Sequence, residues 1–168
     1  MQELKNLVAE IADFPKPGIL FRDVSPLLRL RFRETVDAVD ALFSEQEWGA
    51  VDVVGGVESR GFIFAAAMAQ RRGKGFIPIR KKGKLPPPVI DIAYELEYGT
   101  GVLEMQTGHG RLLLIDDVLA TGGTLGASAA LSRQAGYAIC GVGVLVDLGM
   151  APGLRCEQHE VRSVLRYG

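Results

Sequence analysis

The chain has 168 residues, 48% of them hydrophobic and 23% charged, which is long enough for one domain with a buried core and short for two. Its formal net charge of -1 offers nucleic acid no bulk attraction, and no run approaches the roughly 20 apolar residues that a membrane helix needs. The opening MQELKNLVAEIADF lacks the layout of a signal peptide, so a cytoplasmic protein is expected, and the scattered Cys140, Cys156, His109 and His159 argue against a redox pair, protein-bound zinc or a histidine-based triad.

Leu4, Leu7, Val8 and Ile11 recur at helical spacing and predict an amphipathic opening helix, ended by Pro15, Pro17 and Gly18. After FRDVSPLL, the residues Val36, Val39, Leu42 and Phe43 mark a second helix. VDVVGGV (51–57) reads as a buried strand, FIFAAAMAQ predicts a helix over about 61–72 whose alanines suit close packing on a sheet, and GFIPI (75–79) is another strand. Residues 80–110 are rich in Gly, Pro and charge without helical period, so they form either a long loop, functional or disordered, or a mobile hairpin around Gly99–Gly101. LLLI (112–115) is a continuous apolar run of the kind a parallel strand covered on both faces requires. A helix follows in LGASAALSRQAG, then a strand in ICGVGVLVDL (139–148) and a last edge strand in VRSVL (161–165). Strands alternating with helices predict an α/β domain with a mainly parallel sheet flanked by helices.

Three motifs fall at the carboxyl ends of predicted strands, where open α/β sheets bind ligands. Asp116 and Asp117 follow LLLI. Two carboxylates about 5 Å apart repel by roughly 3 kcal/mol at an effective dielectric of ~20, which favours neutralisation by ribose hydroxyls or a hydrated Mg²⁺; the plainer alternative is an exposed pair at a loop start. Ala120–Thr124 (ATGGT) then leads into the predicted helix. Its glycines allow close backbone approach, its threonines add donors and the helix dipole favours an anion, although an ordinary Gly-rich turn reads the same way. The lysine of a nucleotide triphosphate loop is absent, so a single phosphate is the expected ligand. VESRG (57–61) offers Arg60, whose planar fork suits a diphosphate, or else a surface turn. Arg80, Lys81, Lys82 and Lys84 begin where GFIPI ends, as a solvated face or as a second set of phosphate cations.

In order along nearly the whole chain, FPKPGILFRDVSPLL, VESRGFIF, IRKKGKLP, YELEYG and IDDVLATGGT resemble the adenine phosphoribosyltransferases of the type I phosphoribosyltransferase fold. The DDVLATGGT pattern marks the wider phosphoribosyl group, whereas FRD with ESRGF and KKGKLP is similar to the adenine enzymes in particular. The resemblance implies one phosphoribosyltransferase domain over residues 1–168, with a small N-terminal hood at 1–32 and a flexible active-site loop at 94–110. It implies purine salvage: adenine and phosphoribosyl diphosphate give AMP and diphosphate. Another purine base, or a non-catalytic sensor of phosphoribosyl diphosphate, would use the same fold.

Residue by residue, the resemblance assigns Asp116 and Asp117 to the ribose hydroxyls, and Ala120, Thr121, Gly122, Gly123 and Thr124 to the 5-phosphate. Arg60, the Glu58–Ser59 turn, Lys84 and Arg80 (the last from a partner subunit) fall to the diphosphate. In similar enzymes that turn is strained, often with a cis peptide. Leu20, Phe21, Arg22, Val118 and Leu119 would hold adenine, Glu97 would act as general acid or base, and Tyr98 would ride on the same loop. Mg²⁺ is implied as a cofactor carried by the substrate, with water contacts to Asp116 and Asp117 and no direct protein ligand. A homodimer is implied, formed near FIFAAAMA or Arg80, with small-molecule substrates and neither nucleic acid nor membrane as partner. Two stretches depart from the family pattern: TGHG (107–110) is short, and Pro86, Pro87 and Pro88 make a stiff extended segment.

Overall fold

The structure, a computed structural model, describes residues 2–96 and 99–168. Two compact units emerge, Met1–Ala38 and Val39–Gly168. The first contains α1 (Gln2–Lys5), β1 (Ala9–Ala12), β2 (Leu20–Asp23), α2 (Ser25–Leu30) and most of α3 (Phe32–Asp40). The predicted opening helix therefore stops at Lys5. A single turn recovers little hydrogen bonding for its nucleation cost, and the chain extends instead into an antiparallel pair with Ile11 opposite Phe21 and Ala12 opposite Leu20. Arg22 Nη1 donates to Glu10 Oε1 across that pair at 2.6 Å, and Phe14 packs edge-on against Phe21 at 5.1 Å. Ile11, placed on the buried stripe of a helix by its spacing, is 42% exposed in the strand.

The second unit continues with α4 (Glu45–Ala50), β3 (Val53–Val57), α5 (Gly61–Arg72), β4 (Gly75–Lys81), β5 (Val89–Leu96), β6 (Gly99–Gln106) and β7 (Gly110–Leu119). It ends with α6 (Gly123–Gln134), β8 (Tyr137–Asp147), β9 (Arg155–Cys156) and β10 (His159–Arg166). The helix expected through Phe43 ends at Asp40. Leu42 and Phe43 turn into α4, whose start is fixed by a capping box in which Ser44 and Glu47 satisfy each other's backbone N–H groups. Residues 80–110, expected as loop or hairpin, hold a hairpin longer than its sequence suggested. β5 and β6 pair from Val89↔Gln106 to Leu96↔Gly99, so Gly99–Gly101 are already strand.

The sheet runs β5-β6-β4-β3-β7-β8-β10-β9. Its centre is parallel, from β4 through β3, β7 and β8 to β10, and the flanks β5, β6 and β9 are antiparallel. VRSVL, expected at the edge, lies one strand in, because the two-residue β9 pairs with the start of β10. The continuous apolar run of β7 has the expected cause: both of its faces are covered. Leu112 and Leu114 join Leu125 and Leu131 of α6 in one cluster. Leu113 and Ile115 point the other way, towards Phe43 where it lies over Gly141 and Gly143. On α5, Phe64, Ala65, Met68 and Ala69 are buried, and Gly56 of β3 lets Ala65 approach so closely that an added Cβ would stand 2.8 Å from its methyl carbon.

Surface carboxylates tie this unit together and set its response to acid. Arg162 Nη2 donates to Glu47 at 2.5 Å, and this guanidinium, with the Ser44 N–H, pulls the Glu47 carboxyl from an ordinary 4.5 down to about 2. Asp52 is held low in the same direction by the Arg111 side chain and backbone N–H. A depressed folded pKa contributes stability that is complete above the unfolded value and disappears as pH falls through the folded one. The urea midpoint is therefore expected to fall as pH drops from about 4.5 towards 2, and less steeply in Arg162→Ala. An unchanged midpoint at pH 3 would contradict these pairings.

Candidate active site

The site is built where β3 stops and β7 does not. Pairing between them ends at Gly56↔Ile115, while β7 runs on beside β8 through Asp116↔Val144 to Leu119↔Asp147. The two aspartates, expected just past a strand ending at Ile115, thus lie inside a longer strand that has lost one neighbour. Into the vacated flank comes the turn that follows β3.

Ser59 Oγ donates to Asp116 Oδ1 at 2.7 Å and accepts from the Gly61 N–H at 2.9 Å. Arg60 Nε donates to Asp117 Oδ2 at 2.6 Å, and the Asp117 N–H donates to Asp116 Oδ1 at 2.8 Å. The fit is tight: an added Cβ on Gly61 would stand 2.8 Å from Asp116 Oδ1. The exposed-pair alternative does not hold, since Asp116 and Asp117 are only 4% and 5% exposed. Burial, and then the neighbouring charge of Asp117, push the Asp116 carboxyl well above the usual carboxylate range. Hydroxyl donors or a cation arriving at this pair relieve that penalty. The cis peptide bonds among the described residues are Phe14–Pro15 and Pro87–Pro88, so the expectation of one at the Glu58–Ser59 turn is not met.

Ala120–Thr124 continues directly from β7 into α6. Gly122 caps the helix at φ +88, a left-handed conformation that a side chain rarely adopts, and Leu154 Cδ2 lies 2.6 Å from where its Cβ would be. The first-turn N–H groups of α6 have no intrahelical acceptor, which with the helix dipole makes this a place for an anion. The hairpin reaches the same place: the Glu95 carbonyl oxygen is 3.0 Å from an added Cβ on Gly123. Glu97 and Tyr98 lie outside the described residues.

The end of β4 supplies the basic run. Its Arg80 donates through Nε and Nη2 to Glu58 at 3.3 and 3.2 Å, and the Lys81 N–H reaches the same carboxylate at 2.8 Å. Burial opposes the charge on Glu58, yet Arg80 and the Lys81 N–H outweigh it and hold the carboxyl below its ordinary value. The Glu58 side chain therefore fastens the basic segment to the Ser59–Arg60 turn. Lys82 Nζ pairs with Asp91 at 2.5 Å, and Lys84 is exposed. Sequence reasoning missed Glu104, whose carboxylate accepts three consecutive backbone N–H groups from residues 83–85. The available signal was a lone acid between the core residues Leu103 and Met105.

Of the predicted residues, Glu58, Ser59, Arg60, Arg80, Asp116, Asp117 and the Ala120–Thr124 turn thus gather at the carboxyl ends of β3, β4 and β7. Val118 is half-buried and Leu119 buried on β7. Leu20, Phe21 and Arg22 are on β2, in the N-terminal unit.

The phosphoribosyl transferase domain model matches residues 34–161. An adenine phosphoribosyltransferase of Hydrogenovibrio crunogenus is 48% identical over 98% of this chain and 96% of its own length. The crystal structure of adenine phosphoribosyltransferase from Thermoanaerobacter pseudethanolicus superposes with a TM-score of 0.89 at 36% identity, covering 99% of both chains. That of the Saccharomyces cerevisiae enzyme, complexed with an imino-altritol bisphosphate and adenine, gives 0.88 at 32% identity over 97% of both. With the motifs assembled as described and kinship over its full length, the chain belongs to the adenine phosphoribosyltransferase family, of the type I phosphoribosyltransferase fold.

Proposed function

We propose that the junction of the Ser59–Arg60 turn with Asp116 and Asp117 is where this chain carries out its family's reaction, the purine-salvage transfer of phosphoribosyl from phosphoribosyl diphosphate to adenine that forms AMP and diphosphate. The single observation carrying this reading is the pair of bonds from Ser59 to Asp116 and from Arg60 to Asp117. They bring a buried pair of carboxylates against an arginine at one strand end, which supports the reading.

Asp116 and Asp117 accept the ribose 2- and 3-hydroxyls, and Ala120–Thr124 takes the 5-phosphate. Arg60, the Glu58–Ser59 turn and Lys84 bind the diphosphate, helped by Arg80 of the partner subunit. As the C1–oxygen bond to diphosphate breaks, the ribose becomes oxocarbenium-like and adenine N9 attacks from the opposite face. Glu97 moves the proton at the base, with Tyr98 beside it in sequence. Water would attack the same centre, so the hairpin of β5 and β6 acts as the cover that excludes it. Leu20, Phe21, Arg22, Val118 and Leu119 hold adenine.

Two adjacent buried carboxylates, without a third acidic, Cys or His ligand gathered among the described residues, fit Mg²⁺ that takes most of its ligands from substrate phosphates and water. When bound, Mg²⁺ neutralises charge on the departing diphosphate. The working protein is a cytoplasmic homodimer in this reading. α5 already spends Phe64, Ala65 and Met68 on the sheet but leaves Ile63 41% exposed for a second subunit.

Incubation of the protein with labelled adenine, phosphoribosyl diphosphate and Mg²⁺ is expected to yield AMP, with hypoxanthine and guanine as poor substitutes in the same panel. Folded protein that forms no AMP from adenine would refute the assignment.

A further inference from the structure

The segment 82–85 has no regular secondary structure, yet it is held more firmly than most turns. Gly83 N–H donates to Glu104 Oε2 at 2.9 Å, and the N–H groups of Lys84 and Leu85 donate to Oε1 at 2.6 and 2.7 Å. Successive N–H groups converging in this way form an anion-binding concavity, and the anion here is the protein's own carboxylate. Gly83 makes the geometry possible with φ +85. Glu104 is 3% exposed and stands in β6 opposite Arg80 of β4 and Asp91 of β5. Its neighbours on β6 extend the grip: the Val102 carbonyl accepts from the Lys82 N–H at 3.0 Å, and Gln106 Nε2 donates to the Pro86 carbonyl at 3.4 Å. Arg80 Nη1 meets the Lys84 carbonyl at 3.4 Å. A buried carboxylate in a strand requires partners, and all of these lie in the one segment that carries the exposed Lys84.

We infer that Glu104 is a positioning residue for phosphoribosyl diphosphate, fixing the turn at 82–85 so that Lys84 is presented to the diphosphate group as a preset cation instead of one on a wandering loop. This rests on the reading of Lys84 as a diphosphate contact. Removing three donors' common acceptor frees the turn, and the binding energy of Lys84 is then spent on ordering it. The N–H groups hold the carboxylate ionised, the one at Gly83 most of all, and burial only partly opposes them.

The test varies each substrate in turn for Glu104→Gln, Lys84→Ala and the double variant, with near-ultraviolet circular dichroism as a check on folding. Glu104→Gln, which keeps shape but sets an NH2 group among donors, is expected to raise KM for phosphoribosyl diphosphate about tenfold, the scale of a charge-assisted hydrogen bond. KM for adenine should stay within about twofold, and the double variant should be no worse than Lys84→Ala, since the two act through one contact. A merely structural glutamate would instead raise both KM values together or add to the lysine effect, and either result overturns the inference, as does an unchanged KM. If Glu104→Gln does not fold, Gly83→Ala strains the same turn from outside the sheet, where its Cβ meets nothing within 4 Å. It must then give the same selective rise, or the inference fails. Lys84→Ala with a normal KM for phosphoribosyl diphosphate would sink the diphosphate reading of the lysine itself.

Discussion

Arg60→Ala is expected to raise KM for phosphoribosyl diphosphate by about 10- to 100-fold, and Asp117→Asn by a comparable factor, each having lost charge-assisted bonds worth roughly 1.5–3 kcal/mol. In the free protein these two residues neutralise each other at 2.6 Å, with the carboxylate side chain only 7% exposed. Deleting the guanidinium costs more than its own contact with substrate. It leaves Asp117 beside Asp116 without its cation, and the roughly 3 kcal/mol of repulsion between two carboxylates about 5 Å apart at an effective dielectric of ~20 becomes uncompensated. The pair is then a less well ordered acceptor for ribose hydroxyls, so the loss in Arg60→Ala extends beyond the guanidinium's own contact. Because both variants break one pair, the double variant should be milder than the product of the singles. Strict additivity would show that the pair does not act as a unit.

Glu97→Gln is expected to lower kcat by about 100-fold while leaving both KM values within a few-fold, the pattern of a group that acts on a proton in the transition state. The chemical need is plain: adenine cannot form its bond through N9 and keep the N9 proton. Among the described residues, the Glu95 carbonyl oxygen of β5 lies against Gly123 at the start of α6. The glutamine variant keeps size and hydrogen bonding but cannot take the proton, so retained turnover would remove Glu97 from the chemistry.

Much of this was legible in the sequence because central parallel strands announce themselves. VVGGV and LLLI are covered on two faces and can afford no polar residue, so their ends, and the motifs hung there, were found without any partner in view. The errors share a cause. Leu4 to Ile11 carries a helical period, but Ala9, Glu10 and Ile11 were claimed by a two-stranded pairing with residues further along the chain, which periodicity cannot register. The β5–β6 hairpin was blurred by its glycines and charges, and with it went Glu104, whose purpose is visible only when the turn 20 residues earlier folds back on it. Glu58 was read for its backbone, whereas its side chain ties Arg80 to the neighbouring turn. Such carboxylates look like ordinary surface acids until their donors are located.

The two rims of the sheet have a consequence for solubility at high concentration. An unpaired rim is a template onto which another molecule can add a strand. On one side that rim is β9, two residues long, too brief to hold a foreign chain. On the other it is β5, eight residues long, where Asp91 and Glu95 are exposed charges and where Pro86, Pro87 and Pro88 just before it lack backbone N–H donors. Charge along this rim and prolines just before it are the features that disfavour an added strand.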